Sequence, residues 1–162
     1  MAPITAEVAL LSRNIKVTSE ASCAAIPNAE ADNKPMCGHM VIDHTPEGIV
    51  CGVELTNMGK HTTTGKYPLH THMCGDAPEI QIRNNAVHRN HHRGLVIHGT
   101  SLATWQENVV YKTQGHLMLT EDGSEQGNRV VRNVLAVAEA PSPAWTCEAA
   151  LANSGHRSVH GA

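Results

Sequence analysis

The 162-residue sequence contains no phenylalanine, and Trp105, Trp145, Tyr67 and Tyr111 are its whole aromatic complement. An aromatic-filled interior is therefore excluded, and any core is expected to be built from aliphatic side chains. Its five cysteines, Cys23, Cys37, Cys51, Cys74 and Cys147, form no CxxC pair, which argues against a zinc ribbon. Their odd number leaves at least one thiol unpaired, so the redox compartment stays open. No run approaches the ~18 apolar residues needed to span a bilayer, and "APITAEVALL" lacks the basic start and long apolar region of a signal peptide. The chain is expected to be soluble. With 17% charged residues and a formal net charge of -3, neither nucleic acid nor an anionic membrane is an expected partner. Long i, i+3, i+4, i+7 apolar patterns are missing too, which leaves helix a minor ingredient.

What is present is a series of short Val-, Ile- and Leu-rich pieces closed by Gly, Asn or Asp, among them "GHMVIDHT", "GLVIHGTSL" and "NRVVRNVLAVAEA". The decisive feature is a repeat. "IRNNAVH", "WQENVVY" and "VVRNVLA" superpose with Asn85, Asn108 and Asn133 in register, while Asn14 and Asn57 resemble further copies. An asparagine recurring once per turn before an aliphatic strand suits an all-β, right-handed parallel β-helix, whose stacked amides bond from coil to coil. Alternation within strands then sorts the faces. Leu95 and Ile97 oppose Val96 and His98, Leu69 and Thr71 oppose His70 and His72, and Leu117 and Leu119 oppose His116, Met118 and Thr120. Stacked strands would place His72, His98 and Thr120 near one column, with His70 and His116 sharing its face.

The ordered motifs "EVALLSRNI", "GHMVI", "GVELTNMGK", "GKYPLHTHMCGD", "VIHGT" and "YKTQGHLMLTEDG" are similar to the parallel β-helix region of a family that includes the cell-migration-inducing hyaluronan-binding protein, the cell-surface hyaluronidase and fibrocystin-like proteins. The resemblance covers roughly residues 6 to 137. Phenylalanine expected from it is replaced at Met36, at Thr71 and over Leu117 to Leu119. It implies an extracellular or cell-surface segment of a larger parent, with residues 1–137 forming an incomplete coil, residues 19–37 a projecting loop, and 138–162 a divergent or disordered tail.

Chemistry concentrates in "HTHMCGD". Two histidines at i and i+2 face one way on a strand, so His70, His72 and, one coil on, His98 are candidate ligands for a divalent metal such as zinc or calcium. Cys74 reads as a small packed side chain, and "HRNHHR", with His88, His91 and His92, reads as an exposed turn. The resemblance implies an anionic polysaccharide such as hyaluronan as partner, cleaved by a hyaluronidase-like glycosidase. Lys60, Lys66, Arg83, Arg89 and Arg93, with His98, are the candidates to meet uronate carboxylates, and Glu121, Asp122 and His116 the candidates for catalysis. Neighbours on a strand point to opposite faces, so Glu121 and Asp122 are not expected to flank one bond. The alternative is a non-catalytic glycan-binding or structural coil.

Overall fold

The computed structural model describes residues 6–21, 23, 37–61 and 63–140. Thirteen short strands wind through it, and no α-helix occurs among the described residues. In chain order β1 (Ile15–Thr18) is followed by β2 (Met40–Asp43), β3 (Glu47–Cys51), β4 (Val53–Thr56), β5 (Leu69–Asp76), β6 (Glu79–Arg83), β7 (Ala86–Asn90), β8 (Leu95–Ser101), β9 (Thr104–Gln106), β10 (Val109–Gln114), β11 (Met118–Thr120), β12 (Arg129–Val131) and β13 (Val134–Glu139). Every third strand stacks in parallel. The first sheet runs β2-β5-β8-β11, the second β3-β6-β9-β12 and the third β1-β4-β7-β10-β13. The chain thus forms a parallel β-helix of about four coils, a three-sided tube whose middle strands, β4 to β10, carry the buried strand residues.

Inward columns make the core. Leu69 stacks on Leu95 in the first sheet, Ile82 on Trp105 in the second, and Leu55, Val87 and Val110 in the third, all fully buried. Trp105 corrects the aliphatic expectation: the one described tryptophan is part of the core cluster, at 0% exposure.

The asparagine ladder is present. Asn85 Nδ2 donates to Asn108 Oδ1 at 3.0 Å, and Asn108 Nδ2 to Asn133 Oδ1 at 3.0 Å. Each oxygen also receives a backbone N–H, from Asn85 and Asn108 respectively. A sharp corner exposes backbone groups to the low-dielectric interior, and the amide satisfies them. Asn14 and Asn57 do not belong to this ladder. Asn14 lies one place short, since Ile15 pairs with Val53, the residue whose N–H donates to Asn85. Asn57 stands at another corner, where its amide donates to the Ser19 and Glu20 carbonyls.

Cys23 and Cys37 form a disulfide, and Cys51 and Cys74 are free thiols. It joins the ends of the expected 19–37 loop, most of which lies outside the described residues. β13 continues to Glu139, two residues past the expected end of the coil, and the remainder of the expected tail, from 141, lies outside the described residues.

Candidate functional site

The outer face of the first sheet collects the polar residues. Asp43 pairs with His72 and His72 with His98, so the three form one column facing away from the buried Thr71 and Ile97. Glu121 extends it, its N–H donating to the Ile97 carbonyl at 2.8 Å. Here the expected register is off by one. Met118 rather than Leu117 sits opposite Leu95, which puts Thr120 beside Ile97 and gives its expected column place to Glu121. The coil holds Leu117 and Met118 both against the core, and this break in alternation could not be read from the pattern.

The imidazoles line up edge to face. Ring centroids are 5.9 Å apart for His70 and His72 and 4.8 Å for His72 and His98, and Tyr67 meets His70 at 5.2 Å. His70 is 3% exposed, and burial, reinforced by His72, His39 and His98, lowers its pKa to about 4. It is a neutral imidazole at physiological pH.

His98 lies between two acids, with Nδ1 3.6 Å from Glu121 Oε2 and Nε2 3.1 Å from Asp122 Oδ2. Both carboxylates therefore serve one side, contrary to the strand-alternation expectation. The reason is local, because β11 ends at Thr120 and the chain bends through the following residues. Glu121 is fixed further by the Tyr67 hydroxyl, which donates to its Oε1 at 2.6 Å, and by Arg93, whose Nη1 is 3.6 Å away. Arg93 also donates to the Tyr67 oxygen at 3.3 Å and lies over its ring. Burial and then Glu121 push the Tyr67 phenol up to about 12.

A cationic lip adjoins this end. Burial, then Lys66 and Lys60, holds His39 below its ordinary value, and burial followed by Arg93 does the same to His116. His116 thus sits beside Arg93, its carbonyl receiving the Gly94 N–H, rather than on the histidine column. Arg89 and Arg83 are elsewhere. Arg89 is on β7 in the third sheet, over the Tyr111 ring, and Arg83 ends β6 in the second. "HRNHHR" is not an exposed turn either: His88 and His92 are buried, and His88 Nε2 lies 3.3 Å from Glu54. Cys74 packs against the core, as expected.

The expected metal triad does not converge. His72 Nδ1 faces Asp43 Oδ1 at 2.7 Å, and both nitrogens of His98 face acids. Among the described residues, Asp43, His44 and His72 do bring three donor atoms within 4.8 Å of one another. Sequence reasoning missed Asp43, His44 and Tyr67. Aligning "VIDH" on "LHTH" strand to strand would have placed Asp43 against His72.

Comparison with known proteins gives a consistent picture. The CEMIP β-helix family model matches residues 35–159. A G8 domain-containing protein of Dictyostelium discoideum is 36% identical over 79% of this chain and 10% of its own length. Protein rliB of the same organism is 34% identical over 81% of the chain and 11% of its length. The human cell surface hyaluronidase CEMIP2 is 31% identical over 80% of the chain and 10% of its length. The chain spans about a tenth of the curated relatives it matches. No solved structure matches it.

Proposed function

The chain belongs to the CEMIP β-helix family, and on that premise we propose that it is an extracellular, glycan-handling coil that holds an anionic polysaccharide of the hyaluronan type along the outer face of its first sheet. The single observation that carries this reading is the polarity of that face. Lys66 immediately precedes Tyr67, whose hydroxyl meets both Arg93 and Glu121, and the Lys60 N–H donates to the Lys66 carbonyl, so in this reading uronate carboxylates meet these cations while the sugar rings run past the His98, Glu121 and Asp122 cluster. The Cys23–Cys37 disulfide supports an oxidising compartment, and no helix among the described residues is long and apolar enough to cross a membrane. A larger parent protein is proposed from the tenfold greater length of the relatives.

Hydrolysis is the finer proposal. Asp122, 45% exposed at its side chain against 17% for Glu121, is the acid placed to protonate a glycosidic oxygen, with His98 beside it to move the proton. Glu121, already engaged by Tyr67 and Arg93, positions His98. The same engagement favours a second reading, a coil that binds without cleaving, because it leaves one carboxylate where hydrolysis needs two. Incubating the folded chain with hyaluronan and counting new reducing ends decides between them. Cleavage abolished by Asp122→Asn supports hydrolysis. Retention on immobilised hyaluronan without new ends supports binding alone, and neither result removes the glycan reading.

A further inference from the structure

We propose that Asp43, His44 and His72 form a binding site for a divalent first-row transition metal of the zinc type. The site is independent of the glycan reading. Asp43 ends β2 and His72 lies opposite it on β5, so the register of two coils sets these donors side by side. His44 would ordinarily point away from its neighbour. It instead adopts a left-handed conformation, φ 48°, as do Met73 and Gly99 at the same corner of the next two coils, and this turns its imidazole back toward Asp43. Asp43 Oδ1 lies 2.6 Å from His44 Nδ1 and 2.7 Å from His72 Nδ1. In a tetrahedral site with ligand distances of ~2.0–2.1 Å, donors sit roughly 3.3 Å apart, so opening the two Asp43 pairs by roughly 0.6–0.7 Å admits the ion.

The donors decide which ion. Two imidazoles and one carboxylate suit zinc or its first-row neighbours, whereas calcium takes 6–8 oxygen ligands and is not matched here. Three protein donors leave a fourth position for water, and the side chains are accessible, at 51% for Asp43 and 66% for His44. Such a site gives the face a Lewis acid. The ion also clamps the first coil to the second, since its ligands come from both.

Tag-free, chelator-stripped protein titrated with Zn²⁺ by calorimetry, and with Co²⁺ by visible absorption, tests the site. One ion per chain is expected, with the absorption of tetrahedral cobalt. Affinity should fall roughly ten- to hundredfold or more in His72→Ala and in Asp43→Asn, and stay unchanged in His116→Ala. Should His72→Ala fail to fold by circular dichroism, His44→Ala, an exposed substitution, gives the same reading. Failure of the wild type to bind a stoichiometric ion, or equal affinity in the ligand variants, overturns the proposal and leaves the three residues as a hydrogen-bonded cluster. Glycan binding is read separately, so the two proposals fail independently.

Discussion

Tyr67 donates its hydroxyl to Glu121 across 2.6 Å although the two residues are 54 apart in sequence, tying the segment that enters β5 to the turn that follows β11. A hydrogen bond to a carboxylate contributes about 1.5–3 kcal/mol. Tyr67→Phe is therefore expected to destabilise the chain by about 2 kcal/mol in urea unfolding, the ring packing on His70 and His92 being kept. An unchanged midpoint would show that the bond contributes nothing net.

Asn108 accepts from the Asn85 amide and backbone and donates to the Asn133 oxygen and the Ile82 carbonyl, with Asn85, Asn108 and Ile82 at 0% exposure. Asn108→Ala strands several buried polar groups, each worth about 1–3 kcal/mol, and is expected to cost about 3 kcal/mol or more. Asn14→Ala, on an exposed side chain outside the ladder, is expected to stay within about 0.5 kcal/mol. Equal effects at the two positions would contradict the ladder.

These two cases mark what the sequence could reveal. The coil was legible because Asn85, Asn108 and Asn133 repeat in step with aliphatic strands, and the outward direction of His70, His72 and His98 followed from alternation alone. Thr120 was misplaced into the column, where Glu121 stands, because the packing of both Leu117 and Met118 breaks that alternation. The disulfide was not readable, since spacing does not choose among five cysteines. Arg89 was assigned to the site by proximity in sequence, whereas in a coil residues one side of the triangle apart face different directions.

Burial depresses His70 to about 4 and His92 to about 3, both from 6.5. Between these values and 6.5 the unfolded chain binds more protons than the folded one, so stability rises with pH across that window. The contribution is fully present above pH 6.5 and is lost progressively on acidification toward about 4 and below. Each group adds a slope of up to about 1.4 kcal/mol per pH unit inside its window. His70→Gln is expected to flatten the pH dependence of thermal unfolding between about 6.5 and 4, and an identical slope would show that His70 is already protonated when folded.

Reduction of the Cys23–Cys37 bond opens a loop with a sequence separation of 14. The chain-entropy relation gives about 3 kcal/mol for a loop of that size. Denaturant unfolding with and without reductant is expected to differ by about that amount, and coincident curves would mean that the bond adds no stability.

Binding of size-defined hyaluronan oligosaccharides to the folded chain, followed by fluorescence anisotropy at low and at physiological ionic strength, tests the glycan wall most directly. Saturable binding is expected, weakening as salt rises and weaker still in Lys60→Ala/Lys66→Ala, because the cations of the lip are screened over a Debye length of about 8–10 Å. No binding at low salt, or binding that neither salt nor the double substitution changes, would contradict it.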